Sequence, residues 1–118
     1  MNVLIVDDDI RWSNIAAAML RPVAGKIIMA ESLREARLEI DKPNGFDVVL
    51  LDLTLPDSVA AETIGHIPSI NKTGRKVVVI TGQPVTEALR DAVKKCGALD
   101  CLYKGSTYLA EDLKAACS

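Results

Sequence analysis

The stretch DVVLLDLTLPD, residues 47–57, contains the pattern that decides the fold of this chain. Residues 48–51 form an unbroken run of Val and Leu, which Asp52 closes. A short, continuous apolar run is typical of a parallel strand covered on both faces, because a strand with one wet face would alternate with polar residues. The stretch therefore predicts a buried strand that ends at a carboxylate.

Four further runs extend this pattern along the chain. They cover residues 3–6, 26–30, 77–80 and, more weakly, 100–103. Helical patterns lie between them: near 9–20, from a capping box at Ser32 and Glu35, near 58–67, over 84–96 and near 107–116. Strand and helix thus alternate five times. This alternation predicts an α/β domain, with right-handed crossovers and a parallel sheet between two layers of helices.

The helix expected over 84–96 has the clearest boundaries. Pro84 suits its first position, Lys94 and Lys95 suit its last turn, and Gly97 suits its C-cap. Its apolar residues share one stripe at helical spacing. They are Val85, Ala88, Leu89, Ala92, Val93 and Cys96.

Length and composition restrict the class of protein. A chain of 118 residues, 49% apolar and 25% charged, predicts a single domain over 1–118 with one ordinary core. The net charge is −2 and the basic residues form no run, which excludes direct, sequence-independent binding of nucleic acid. No apolar stretch approaches the roughly 18–20 residues that cross a bilayer, and the start does not resemble a signal peptide. The three cysteines form no Cys-x-x-Cys pair, so we expect a soluble cytoplasmic protein without membrane association.

Polar residues close the predicted strands. In chain order they are Asp7, Asp8, Asp9, Asp52, Thr81 and Lys104. Ligands of open α/β sheets bind beyond the carboxyl ends of the strands, so these side chains are expected to converge. Three converging carboxylates repel one another unless a cation is shared between them. A few oxygen ligands with open water positions favour Mg²⁺, with Mn²⁺ as an alternative.

A metal, an ammonium and a hydroxyl around one carboxylate are suited to phosphoryl transfer, which needs a nucleophile and neutralisation of the phosphoryl oxygens. Asp52 is the candidate nucleophile, Lys104 would balance charge and Thr81 would donate a hydrogen bond. Each residue also has an ordinary explanation: Asp8 or Asp9 as a helix cap, Asp52 and Thr81 as turn or loop residues, and Lys104 as a solvated lysine. Their occurrence together, in order, favours the functional interpretation.

The ordered blocks resemble those of response-regulator receiver domains. The blocks are LIVDDD at 4–9, DVVLLDLTLPD at 47–57, VITG at 79–82 and LYKG at 102–105, with Gly97 and Ala98 before the last strand. The resemblance extends over about residues 2–117. It implies a flavodoxin-like, doubly wound, five-stranded parallel sheet in the order 2-1-3-4-5 with five flanking helices.

The resemblance also implies a metal site and a function. Asp52 matches the phosphorylated aspartate, Asp8 the direct Mg²⁺ ligand and Asp7 a supporting acid beside that ligand. Thr54 matches the position that gives a backbone carbonyl to the metal. The implied function is that of a two-component phosphoacceptor, which takes its phosphoryl group from a sensor histidine kinase or a phosphotransfer protein. Its partners and any homodimer would use the face formed by the fourth helix, fifth strand and fifth helix.

Two more matches and two departures lie near the last strand. Thr81 matches the switch hydroxyl, and Lys104 matches the lysine that pairs with the phosphoryl group. The aromatic residue often found three positions before that lysine is Cys101 here, and Tyr103 is a candidate substitute because it points to the same side of the strand. Gly105 stands where proline is frequent.

Other functions and roles stay open. A phosphatase with an aspartyl nucleophile would need a second acid at the position of Thr54, together with a cap or larger core. A degenerate receiver that binds partners without phosphorylation is the second alternative, and the intact set of Asp8, Asp52, Thr81 and Lys104 argues against it. We expect no turnover enzyme acting on a separate substrate. Trp12 could cover the site or serve a partner, but packing is the favoured explanation.

Overall fold

A computed structural model describes residues 1–43, 45–71 and 74–118. Within these residues a five-stranded parallel sheet has the order β2-β1-β3-β4-β5. The strands are β1 (Asn2–Val6), β2 (Lys26–Ala30), β3 (Val48–Asp52), β4 (Lys76–Thr81) and β5 (Asp100–Tyr103). The α/β class and the strand order expected from the sequence are confirmed.

Five helices join and flank the strands. They are α1 (Ile10–Leu20), α2 (Leu33–Ile40), α3 (Ala60–Asn71), α4 (Glu87–Lys95) and α5 (Leu109–Cys117). Alternate side chains of the central strands enter two separate apolar layers, one with α1 and α5 and the other with α2, α3 and α4. The sheet is therefore doubly wound. Its central strands are buried on both faces, which explains why β3 is continuously apolar.

Side-chain caps set the start of α1 and α2. Asp9 accepts hydrogen bonds from the N–H groups of Arg11 and Trp12, at 3.1 and 3.2 Å. Ser32 accepts one from the N–H of Glu35 at 3.1 Å, as the capping box predicts. The explanation of Asp9 as a helix cap is therefore correct.

The predicted start of α4 at Pro84 is wrong. The helix begins at Glu87, because the Thr86 hydroxyl accepts a hydrogen bond from the N–H of Leu89 at 3.1 Å and caps the first turn. The predicted apolar stripe is also only partly buried, since Ala88 and Ala92 are exposed.

The predicted end of α4 is confirmed. Gly97 has a φ of +108°, a conformation that side chains resist. Its N–H bonds the carbonyl of Lys94, and the N–H of Ala98 bonds that of Val93, both at 3.0 Å. These two bonds form a Schellman motif.

The pattern over 58–67 predicts that the third helix ends before Pro68, and this prediction is wrong. The helix continues to Asn71 because Ile67 and Ile70 are both fully buried in the core. Burial of these side chains outweighs the one backbone hydrogen bond that proline removes. The Ser69 hydroxyl also donates to the carbonyl of His66 at 2.9 Å. Among the described residues, no helix is both long and apolar enough to cross a membrane.

Candidate acidic site at the carboxyl edge of the sheet

Three carboxylates meet at one edge of the sheet. Asp7 and Asp8 follow β1, and Asp52 ends the neighbouring strand β3. One oxygen from each lies within 4.8 Å of the others. Asp7 is 1% and Asp52 2% exposed, whereas Asp8 faces solvent. Parallel neighbours end at the same edge, so the topology itself brings these acids together, as the sequence predicts.

The environment of Asp52 disfavours its charge. The pKa of Asp52 is raised from 3.8 to about 6, chiefly by burial and next by the nearby Asp7 carboxylate. Lys104 and the N–H of Thr54 act in the opposite direction, the latter through a hydrogen bond of 3.3 Å to Asp52 Oδ1. A divalent cation at this position would favour the ionised forms of the acids.

Lys104 lies directly after β5 and reaches back into this site. Its Nζ is 2.5 Å from Asp7 Oδ2 and 3.5 Å from Asp52 Oδ2. Burial alone would lower the pKa of Lys104, but the two carboxylates outweigh burial and raise it. The side chain is therefore an ammonium at neutral pH. One ammonium does not balance three carboxylates, so the donor set fits a hard divalent cation such as Mg²⁺.

Thr81 ends β4 and is 3% exposed. The register pairs Ile80, its neighbour, with Asp52, which places the hydroxyl at the acidic edge. The hydroxyl oxygen accepts a hydrogen bond from the N–H of Gln83 at 3.1 Å. Its own proton remains available for donation, which the predicted role requires.

The loop after β3 carries Thr54, whose backbone carbonyl the resemblance assigns to the metal. Thr54 is exposed and lies two residues beyond Asp52, to which its N–H is bonded. The structure thus brings Asp7, Asp8, Asp52 and Lys104 together and places Thr54 beside them. The individual roles of these residues stay predictions.

Sequence reasoning missed the role of Asp57 in the same loop. Its two carboxylate oxygens accept hydrogen bonds from the N–H groups of Leu33 and Arg34, at 2.9 and 3.0 Å. These bonds, led by the one from Leu33, hold the pKa of Asp57 below its ordinary value. Asp57 thereby ties the loop after β3 to the start of α2. No local pattern indicates this contact, because 24 residues separate Asp57 from Leu33.

Trp12 contacts the site as well as the core. Nζ of Lys104 lies over its ring, 4.8 Å from the ring centroid. Trp12 is 9% exposed and belongs to the apolar layer of α1 and α5. It therefore packs in the core, as favoured from the sequence, and also contacts the site.

The face between α4 and α5 shows how the departures at Cys101 and Gly105 are accommodated. Cys101 is fully buried in the layer of α2, α3 and α4. Tyr103 is half-buried beside a groove of about 370 Å³ that Val85 and Arg90 also line. The tyrosine ring occupies the space where a Cβ atom at Gly105 would lie. A small core residue thus occupies the usual aromatic position, and the aromatic ring sits two residues later.

Comparison with known families identifies the family of this fold. The family model described as the response regulator receiver domain matches residues 3–116 of the chain. The protein therefore belongs to the response regulator receiver domain family of two-component signalling.

The chain resembles parts of longer regulators. It is 34% identical over 104 residues to the transcriptional regulatory protein ZraR of Escherichia coli, an alignment that covers 88% of this chain. The aligned part is only 23% of the length of ZraR.

Solved structures share the fold. A response regulator from Burkholderia pseudomallei, described with a phosphorylated aspartic acid, calcium ion and citrate, superposes with a TM-score of 0.82 at 22% identity. The match covers 99% of this chain and 66% of that one. A chain of the CheX–CheY–BeF₃–Mg²⁺ complex from Borrelia burgdorferi gives a TM-score of 0.81 at 24% identity, over 98% and 86% of the two chains. At these identities the likeness concerns the fold.

Proposed function

We propose that Asp52 accepts a phosphoryl group from the phosphohistidine of a sensor kinase or phosphotransfer protein, with Mg²⁺ bound at the adjacent acids. The observation that carries this proposal is the cluster of Asp7, Asp8 and Asp52 oxygens within 4.8 Å, with the Lys104 ammonium beside it. The phosphorylated aspartate and the BeF₃ and Mg²⁺ named for structures of the same fold support it.

Asp8 and Asp52, with the carbonyl of Thr54, would hold the metal, and Asp7 beside them would support the site. When bound, Mg²⁺ neutralises negative charge on the phosphoryl oxygens. A carboxylate oxygen of Asp52 attacks phosphorus, the O–P bond forms as the P–N bond to the donor histidine breaks, and the imidazole leaves with the electron pair. The nucleophile must be ionised, so a cation that lowers the pKa of Asp52 from about 6 promotes this step.

Lys104 and Thr81 then respond to the new charge. Lys104 exchanges its contact with Asp52 for one with a phosphoryl oxygen, and Thr81 turns from Gln83 to donate its proton. Because both residues adjoin β5, their movement biases a two-state equilibrium of the α4–β5–α5 face. On this proposal the face controls a partner, a second copy or an output domain. The chain promotes its own phosphorylation and dephosphorylation and turns over no separate substrate.

Intact mass spectrometry after incubation with acetyl phosphate and Mg²⁺ tests the phosphoacceptor step. We expect one added phosphoryl group, which Asp52→Asn and EDTA both abolish. Asp91→Asn, on the exposed surface of α4, is the matched control and keeps the added mass. An unmodified protein that also binds no Mg²⁺ by calorimetry would refute the proposal and favour a binding-only receiver.

A further inference from the structure

The ammonium of Lys104 is held between two kinds of group. On one side are the carboxylates of Asp7 and Asp52, 2.5 and 3.5 Å from Nζ. On the other is the indole ring of Trp12, whose centroid is 4.8 Å away. The Lys104 side chain is only 17% exposed, whereas a lysine at the end of a strand ordinarily extends into water.

From this geometry we propose that Trp12 is a positioning residue that holds Lys104 inside the acidic site. The inference rests on the proposed function, because Lys104 matters there as the cation that meets the phosphoryl group. A lysine side chain has several rotatable bonds and a well-hydrated head, so confinement needs an attractive wall as well as carboxylates. The negative face of an indole supplies such a wall.

The indole is suited to this task because it is neutral. A carboxylate at position 12 would attract Lys104 more strongly, but it would also add to the negative charge of the cluster and compete for the metal. The ring attracts the ammonium without either effect. The ring itself is buried in the apolar layer that also contains Ala16 of α1 and Leu113 of α5, and the backbone N–H of Trp12 is bonded to the Asp9 carboxylate that caps the helix.

Loss of the ring should have opposite effects on two measurable properties. A released Lys104 no longer repels a divalent cation at the acids, so Mg²⁺ should bind more tightly. The same release removes a cation from the path of the phosphoryl group, so phosphorylation should slow. A merely structural role for Trp12 would weaken both properties together.

The experiment compares Trp12→Leu and Trp12→Phe, with Ile15→Ala on the exposed face of α1 as the control. Mg²⁺ affinity is measured by calorimetry, the phosphorylation rate with acetyl phosphate at saturating Mg²⁺, and folding by urea titration. For Trp12→Leu we expect phosphorylation about five-fold slower and Mg²⁺ bound about two-fold more tightly, as the strength of one cation–π contact suggests. Trp12→Phe should recover at least half of each change.

A variant that leaves Trp12 in place gives an independent readout. Trp12 is the sole tryptophan, so its emission reports on the ammonium above it. Lys104→Met should shift that emission, whereas Lys94→Met on the exposed part of α4 should not. In the Lys104→Met background, Trp12→Leu should leave Mg²⁺ affinity unchanged.

Three results would overturn the inference. Trp12→Leu could lower both the Mg²⁺ affinity and the phosphorylation rate, or Trp12→Phe could recover neither change. The third is that Trp12→Leu changes the Mg²⁺ affinity as much in the Lys104→Met background as in the native protein. If the native protein is not phosphorylated at all, the proposed function fails. The Mg²⁺ affinity and fluorescence measurements still test in that case whether Trp12 holds Lys104 in the acidic site.

Discussion

The ring of Tyr103 occupies the space that a side chain at Gly105 would fill, since a Cβ atom there would overlap the Cζ and Oη atoms of the tyrosine. Tyr103 is thereby packed over the backbone at the end of β5, next to Lys104. The absence of a side chain at Gly105 is what allows this placement. The two departures from the family pattern noted in the sequence, at Cys101 and at Gly105, are therefore linked in space.

Gly105→Ala should displace the tyrosine ring. We expect the free energy of unfolding to fall by about 1–2 kcal/mol, the usual cost of adding a methyl group to an occupied space. Urea unfolding measures the change, and Tyr103→Ala in the same chain should remove most of it. Gly45→Ala is the matched control, because Gly45 also lies outside the helices and nothing lies within 4 Å of the added carbon there. Equal stability of Gly105→Ala and the native protein would contradict the packing of Tyr103 on Gly105.

Asp57→Ala should destabilise the protein by about 1 kcal/mol, because two N–H groups at the start of α2 lose their acceptors. The effect should depend on pH. The folded-state pKa of Asp57 lies below the ordinary value of 3.8, so its stabilisation is complete above that value and is lost as the pH falls below it. Urea titrations at pH 7 and pH 3 test this, with Asp91→Ala as the surface control. If the native protein and Asp57→Ala differ in free energy of unfolding as much at pH 3 as at pH 7, the stabilisation does not come from the ionised Asp57.

Asp52→Asn should stabilise the metal-free protein. The folded-state pKa of Asp52 is about 6, above its ordinary 3.8, so its ionisation costs stability as the pH rises through this range. The increase in the free energy of unfolding caused by Asp52→Asn should therefore be absent near pH 3.5 and grow up to about pH 6. Above that pH it should level off on the order of 2–3 kcal/mol. Thermal unfolding in EDTA measures it. Mg²⁺ should stabilise the native protein more than the variant, and an identical response of the two would contradict the role of Asp52 in the metal site.

Thr86→Ala should cost about 1 kcal/mol, because the hydroxyl caps the first turn of α4. Pro84→Ala should change the free energy of unfolding by less than about 0.5 kcal/mol, since Pro84 is exposed and precedes the helix. Urea titration of the two variants side by side tests the corrected helix start. A larger loss of stability in Pro84→Ala than in Thr86→Ala would indicate that the helix begins at Pro84.

The strands and the acidic cluster were predictable because they depend on local patterns and one topological rule. Continuous apolar runs predict buried parallel strands, and such strands end at a common edge. Asp7, Asp8 and Asp52 follow two of these runs directly, so their meeting needs no knowledge of how the helices pack. Lys104 follows from the same rule at β5.

The helix boundaries were less predictable because they depend on competing contributions. Pro84 satisfies the statistics of a first helical residue, yet the Thr86 hydroxyl supplies a stronger start. Pro68 is a usual stop signal, yet burial of Ile67 and Ile70 carries α3 through it. Tertiary packing decided the second case.

By itself, the sequence determined the strands and which polar residues stand at the carboxyl edge, because these follow from residue order and periodicity. The family and the order of the strands in the sheet followed from the resemblance of its motif blocks. Only the tertiary structure decided which groups touch across long separations. Asp57 caps α2, Trp12 faces Lys104, and Lys104 lies nearer to Asp7 than to Asp52. These contacts depend on how helices and loops are placed against the sheet, and side-chain packing sets that placement to within an ångström or so, a distance that no pattern along the chain encodes.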